Sequence, residues 1–315
     1  MPLKTQLVSV VVNCYNSEKY ISECLSSIIS QTYVNFEIIV WDNKSKDQTR
    51  EVIQDLAINE KRLRLYTSDK HLPLGAARNQ ALNKCNGDWI SFLDSDDVWD
   101  RNFLSDQMNA LQGKEQEYFG YGHVTTFDNS ELSIEHDAKR NLVLKHNILK
   151  NLLRGNFIFF SSLVISRPAM NYVRFFNNDF VQAEDYELLL RLAEKYNALQ
   201  VGHVYYRNHA TNTSKNQSKE LYIETLQILE PYLSNFEGTV HYSLNLAKFA
   251  TFSFKSQTVG DFWIVLERSK LNLLYLSLGL AYLLVSNLKN FKLIKYLKKK
   301  LSKILAFTRI RLRIH

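Results

Sequence analysis

The 315-residue chain predicts an α/β fold with a central, mostly parallel sheet. Apolar, β-branched runs of five to seven residues alternate with stretches of helical apolar spacing through the first hundred positions. Several of these runs lack polar alternation, as strands covered on both faces do. Polar clusters follow the runs at Asn13–Asn16, Asp42–Asp47 and Asp94–Asp97. The carboxyl ends of parallel strands are where such sheets bind ligands, so the three clusters should meet in one crevice.

Leu7 to Asn13 ("LVSVVVN") reads as the first strand, after which Asn16 or Ser17 caps a helix that turns Ile21, Leu25, Ile28 and Ile29 inward. Phe36 to Trp41 is the next strand, followed by a helix at "QTREVIQDLA", a strand at Arg62 to Tyr66, a helix at "AARNQALNKC" closed by Gly87, and a strand at Asp88 to Leu93. Asp97 and Asp100 read as caps of a helix beginning near Trp99. Farther on, Glu117–Phe127 and Phe157–Ile165 read as strands, Ala183–Tyr196 as a helix and Leu199–Arg207 as a strand. The polar stretch "NHATNTSKNQS" marks a boundary near residue 216, dividing a domain over 1–216 from a largely helical region over 217–315.

With 45% hydrophobic and 12% aromatic residues the chain can build a large core and is not a disordered polymer. Three cysteines, Cys14, Cys24 and Cys85, form neither a CxxC pair nor a disulfide framework, and the amino terminus lacks the pattern of a secretory signal. Both features predict a reduced, cytoplasmic setting. The net charge of +7 belongs to the end of the chain. No acid follows Glu267, whereas twelve basic residues do, which leaves 27 basic against 32 acidic residues before it, a net of −5. A nucleic-acid partner for the main domain is therefore not expected. A Rossmann dehydrogenase is disfavoured too, because "NCYNSEK" follows the first strand in place of a glycine-rich turn.

Leu271 to Leu288 is an apolar stretch of 18 residues, interrupted by Asn272, Ser277, Ser286 and Asn287, and is short for a bilayer span. Beyond it, Ile294, Leu297, Leu301, Ile304 and Leu305 share one helical face, with Lys292, Lys295, Lys299 and Lys303 opposite. Such a tail predicts peripheral attachment to the cytoplasmic face of an anionic membrane.

"WISFLDSDDVWD" (Trp89 to Asp100) gathers Asp94, Asp96, Asp97 and Asp100 where an apolar run ends. Carboxylates this close repel one another unless a cation or hydrogen bonds offset the charge. With only oxygen ligands on offer, Mg²⁺ or Mn²⁺ is the predicted partner, held by Asp94 and Asp96 with phosphates and water.

Four segments, "SVVVNCYNSEKYISECLSSIISQTYVNFEIIVWDNKSKDQT", "LGAARNQALNKCNGDWISFLDSDDVW", "EDYELLLRL" and "YRNH", resemble the family 2 glycosyltransferases in order and spacing. The resemblance spans about two thirds of the chain. It implies a GT-A fold and inverting transfer of a sugar from a nucleotide-diphosphate donor, UDP-linked, to a hydroxyl of a cell-surface glycan or its lipid-linked precursor. Carried over by position, it puts the DxD-type motif on Asp94-Ser95-Asp96, with Asp96 the direct metal ligand and Asp94 towards ribose or metal. Asn13 and Tyr15 fall where the family surrounds base and ribose. Asp42 and Asn43 fall on its acidic turn, and Asn43 departs from the usual aspartate. Arg78 falls where a basic residue lies near the donor, with a buried salt bridge as its bland alternative. Asp185 of the Glu184-Asp185 pair falls on the general base, and His209, with Arg207, on a loop suited to diphosphate or metal. Rivals are a metal-dependent nucleotidyl or phosphoryl transferase, which gives Asp185 no role, and a non-catalytic membrane-bound scaffold of the same fold.

Overall fold

A computed structural model describes residues 6–128, 143–145 (backbone only), 148–210, 212, 218–234, 241–242 and 245. The first half follows the predicted alternation: β1 (Val8–Cys14), α1 (Ile21–Ile29), β2 (Phe36–Asp42), α2 (Thr49–Asn59), β3 (Leu63–Thr67), α3 (Leu74–Leu82) and β4 (Trp89–Phe92). Next come β5 (Val98–Trp99), α4 (Phe103–Leu111), β6 (Tyr118–Phe127), β7 (Val143–Lys145) and α5 (Ile148–Leu152). A 3₁₀ turn (Phe160–Ser162) then leads to β8 (Val164–Ser166), α6 (Arg167–Val173), α7 (Glu184–Ala193), β9 (Asn197–Arg207) and α8 (Lys219–Leu229).

Among the described residues the strands form one nine-stranded sheet in the order β3-β2-β1-β4-β8-β6-β9-β5, with β7 paired to β9. The β1–β2, β1–β4, β2–β3 and β6–β9 pairs are parallel, and the pairs made by β5, β7 and β8 with β9, β4 and β6 are otherwise antiparallel. β1 and β2 are buried on both faces because helices cover both. Val8, Val10 and Val12 join Leu25, Ile28 and Ile53 in the main core cluster. The alternate residues Val11 and Ile39 are equally buried on the opposite face, against which α3 packs.

Several local expectations are corrected. Neither Asn16 nor Ser17 caps α1 with its side chain: the Ser17 carbonyl accepts the amides of Tyr20 and Ile21, both at 2.9 Å. Asn16 stands at φ 51° and its side chain accepts the Lys46 amide at 2.9 Å, while the Ser17 hydroxyl bonds to that of Ser95 at 2.8 Å. Asn tolerates this left-handed geometry, so the polar residues build the turn rather than the helix end. α3 stops at Leu82, before Gly87. A Cβ on Gly87 would lie 2.5 Å from the Ser9 backbone nitrogen, so the glycine permits close passage beside β1 rather than ending a helix.

No helix starts at Trp99. Val98 and Trp99 pair antiparallel with β9, and the helix begins at Phe103. Asp100 accepts the Asn102 amide at 2.9 Å just ahead of that helix, whereas Asp97 is wholly buried and bonds elsewhere. The aromatic run from Phe157 is not one strand: a 3₁₀ turn occupies its centre, and only Val164–Ser166 joins the sheet. Between Tyr121 and His123 the β6–β9 register shifts around Gly202, at φ 75°. The shift places one extra residue on β9, with Tyr121 opposite Gln200 and His123 opposite His203.

The contacts separate two compact units, one of residues 1–149 and 157–213, the other of 150–156 and 214–315. The first holds the sheet. In the second, the Ser218 hydroxyl caps α8 by accepting the Leu221 amide at 3.1 Å. Among the described residues no helix is long and apolar enough to cross a membrane. Leu271–Leu288 and the basic tail lie outside the described residues.

Candidate active site

The chemistry-bearing side chains stand at the carboxyl ends of β1, β2 and β4, at the start of α7 and just beyond β9. Arg78, on α3, is buried and bridges two of these places. Its Nη2 donates to Asp94 Oδ1 at 2.9 Å and its Nη1 to Glu184 Oε1 at 3.0 Å. The guanidinium also lies over the Phe160 ring, 4.2 Å from its centroid. The buried salt bridge set against a donor role for Arg78 is therefore present, and it joins the aspartate turn to the helix that carries Asp185.

The aspartates after β4 divide by environment. Asp94 keeps a side chain that is 40% exposed, with Arg78 on one oxygen. Asp96 accepts from His209 Nε2 at 2.9 Å. Burial, then the charge of Asp94, pushes the Asp96 carboxyl up, and His209 only partly offsets them. Asp97 is pushed up further by burial and by its two charged neighbours. It accepts the Ser161 hydroxyl at 2.5 Å and the Arg207 amide at 3.0 Å, which makes it the internal brace of the turn. Ser95 turns away from Asp94 and Asp96 to meet Ser17.

Arg207 completes that brace. Its Nε donates to the Asp96 carbonyl at 2.8 Å and its Nη2 to Glu23 at 2.5 Å, between the rings of Tyr20 and Phe127. His209 stacks on Tyr20 with ring centroids 5.0 Å apart. The β9 end thus orients both the backbone and the side chain of Asp96.

At the start of α7, Glu184, Asp185 and Glu187 place negative charge on the positive end of the helix dipole. Burial pushes Glu184 up to about 7 despite the Arg78 charge. Asp185 is half-buried; desolvation raises its carboxyl, Arg78 opposes the rise, and one oxygen accepts the Tyr186 amide at 2.6 Å. A carboxylate with a raised pKa and a free oxygen is a competent proton acceptor.

On the β1–β2 side, Asp42 is fully buried, with Oδ1 accepting the Ser45 amide at 2.9 Å and Oδ2 accepting Arg50 Nη2 at 2.9 Å. Asn43 pairs with Leu72 through both ends of its amide, at 2.8 and 3.0 Å. Tyr15 is 41% exposed and its ring meets that of His71 at 4.2 Å. Asn13 carries a buried side-chain amide in which neither atom has a partner. Cys14 is buried, its thiol pushed up by desolvation, which fits a packing residue.

A cation fits the aspartate turn. Asp94 and Asp96 are two neighbouring carboxylates whose mutual repulsion the protein relieves incompletely, and both keep solvent-facing surface, at 40% and 27%. Among the described residues no three His, Cys, Asp or Glu side chains converge as a cage, so the donor set suits a hard cation whose remaining ligands are phosphate and water.

The family model described as "Glycosyl transferase family 2" matches residues 9–171, more than half of the chain. The chain belongs to glycosyl transferase family 2. Among its curated relatives, the Escherichia coli UDP-Glc:alpha-D-GlcNAc-diphosphoundecaprenol beta-1,3-glucosyltransferase WfgD is 32% identical over 243 residues, 76% of this chain and 91% of that protein. WfaP of Escherichia coli, with the same printed activity, is 29% identical over 227 residues, 69% of this chain and 83% of that protein. The crystal structure of S. aureus TarS 1-349 with UDP-GlcNAc superposes with a TM-score of 0.60 at 21% identity, covering 79% of this chain and 72% of that one. The mannosyltransferase PcManGT from Pyrobaculum calidifontis, in complex with GDP-Man and Mn2+, gives 0.58 at 16% identity, covering 100% and 89%. The chain is thus a glycosyltransferase with the GT-A fold.

In this glycosyltransferase the structure draws Arg78, Asp94, Asp96, Glu184 and His209 into one network, while Asn13, Tyr15, Asp42 and Asn43 cluster on the neighbouring strand ends without bonding to it. Sequence reasoning missed Ser161, Tyr20 and the inward role of Asp97. The serine pair in the aromatic run "FIFFSS" was the signal for the first: two small polar residues in an apolar stretch need internal partners.

Proposed function

We propose that this glycosyltransferase moves a sugar from a UDP-linked donor to a hydroxyl of a lipid-linked glycan precursor, with inversion at the anomeric carbon. The observation that carries the reading is Arg78, which holds Asp94 at the donor end and Glu184, next to Asp185, on one buried guanidinium. The names of WfgD and WfaP, which give a UDP-Glc donor and a diphosphoundecaprenol-linked acceptor, support the substrate class, as do the TarS complexes with UDP-GlcNAc and UDP.

In this reading Asp185 takes the proton from the acceptor hydroxyl as the new carbon–oxygen bond forms and the bond to the diphosphate breaks. The electron pair leaves with the diphosphate. Its raised pKa makes Asp185 the stronger base, and the bracing of Asp96 by Arg207 and His209 fixes the donor end in advance. Asp94 and Asp96 would hold Mg²⁺ or Mn²⁺, which when bound supplies positive charge against that developing on the leaving diphosphate. The basic tail, with its apolar face, would keep the enzyme at the cytoplasmic membrane surface where such acceptors lie.

A screen of nucleotide sugars, read as release of nucleoside diphosphate with and without chelator, tests the reading. Metal-dependent release from a UDP-sugar is expected. Release of pyrophosphate instead, as a nucleotidyl transferase would give, would refute it.

A further inference from the structure

Among the described phenylalanines, Phe157 and Phe159 stand exposed, at 41% and 40%, on either side of the buried Ile158. A single exposed apolar side chain needs no explanation, but Phe159 is not isolated. Its ring meets that of Tyr206, with centroids 5.1 Å apart. Asp97 builds this meeting: one carboxylate oxygen accepts the Ser161 hydroxyl and the other accepts the Arg207 amide, so the segments that carry Phe159 and Tyr206 are tied to one buried side chain. The Phe159 carbonyl accepts the Ser162 amide at 3.0 Å, and Tyr206 is paired in register with Thr126, so neither backbone is loose. Phe160, the next residue, lies against Arg78, which holds Glu184 beside Asp185. The aromatic pair is therefore anchored twice, to the aspartate turn through Asp97 and to the helix bearing Asp185 through Phe160 and Arg78.

We propose that Phe159, backed by Tyr206, is the platform on which the acceptor sugar lies while its hydroxyl faces Asp185. This deepens the proposed transfer reaction and rests on its acceptor. A pyranose has a face made of C–H bonds and a rim of hydroxyls. A flat aromatic ring covers the first and takes no partner from the second, so the reacting hydroxyl stays available to the base. Phenylalanine offers nothing but ring surface, which makes stacking the contact it supplies. Lipid hydrocarbon is the poorer occupant, because laid over this turn it would strip water from Asp94 and Asp96, whose side chains are 40% and 27% exposed. The sugar brings hydroxyls to the same place. Because Asp97 and the Ser162 amide already fix the segment that carries the ring, little ordering remains to be done when the acceptor arrives.

The test is UDP release by the full chain from UDP-Glc with Mn²⁺ and a water-soluble acceptor probe, α-D-GlcNAc-diphosphate on a short alkyl chain, for wild type, Phe159→Ala, Phe159→Leu and Phe159→Tyr. The KM for the probe should rise about tenfold in the alanine and leucine variants and stay within about twofold of wild type in Phe159→Tyr, with UDP affinity unchanged in all three. Leucine keeps the apolar bulk and loses the flat ring, which separates stacking from packing. An unchanged KM in either the alanine or the leucine variant, or a loss that UDP affinity follows in step, overturns the platform. So does an alanine variant that keeps its KM but no longer sediments with anionic phospholipid vesicles, which would give the ring to the membrane. Each of these leaves the transfer reading standing. A wild type whose UDP release the probe does not raise overturns the acceptor reading and the platform together.

Discussion

Arg78 is 3% exposed and faces two carboxylates and two aromatic rings, a setting in which a guanidinium and its partners depend on one another. Arg78→Met removes the charge that compensates the buried Glu184. The expected loss is about 3–5 kcal/mol in urea unfolding, and a loss below about 1 kcal/mol would show that the bridge contributes little. Glu184 itself makes stability depend on pH. Its carboxyl rises from an ordinary 4.5 to about 7 in the fold, chiefly through burial. Between those values the folded state holds more protons than the unfolded one, so stability falls as pH rises from about 4.5 to about 7 and levels off above that. Glu184→Gln lacks this loss, so the stability of wild type relative to the variant should decline across that window; a constant difference would contradict the shift. The aspartate pair was legible in the sequence because four acids in seven residues demand an explanation. The partner of Arg78 was not, because Glu184 lies 106 residues away and only the fold brings them together.

At the scale of elements, β1, β2 and β4 could be read directly because unbroken apolar runs between polar turns admit few other structures. The aromatic run from Phe157 misled because Phe160 is needed over Arg78 and Ser161 against Asp97, so function-side contacts override strand propensity there. Gly87 misled in another way: its value lies in the close passage of two backbones, which no local pattern reveals. A side chain there meets the Ser9 backbone at 2.5 Å, and backbone cannot rotate aside. Gly87→Ala should therefore cost about 1–3 kcal/mol by thermal or urea unfolding, even though alanine has no unfavourable φ to adopt. A neutral substitution would mean that β1 and the approach to β4 have slack.

Across the whole molecule, charge is segregated: a net of −5 up to Glu267, with twelve basic residues and no acid after it. In the proposed function the acidic site residues and the acid-free tail would serve different partners, a cation with its diphosphate for the first and an anionic lipid surface for the second. Replacing Lys292, Lys295, Lys299 and Lys303 by Glu should abolish sedimentation with vesicles rich in anionic phospholipid, since each lysine near the surface contributes about 1 kcal/mol. Undiminished sedimentation of that variant would remove the tail from the account. Family membership was legible because the four motifs occur in the right order and spacing. The partners of Asp42 and Asn43 were not legible, because those bonds run to the turn after β2 and to the segment before α3, whose positions only the folded chain sets.

The central claim is that Asp185 takes the acceptor proton beside a donor site built on Asp94 and Asp96. The turnover of Asp185→Asn, measured with UDP-sugar and acceptor alongside its affinity for UDP, tests it most directly. The account predicts a fall in kcat of about 10²- to 10⁴-fold with UDP affinity unchanged. Full turnover by the variant, or a loss that tracks weakened UDP binding, would contradict it.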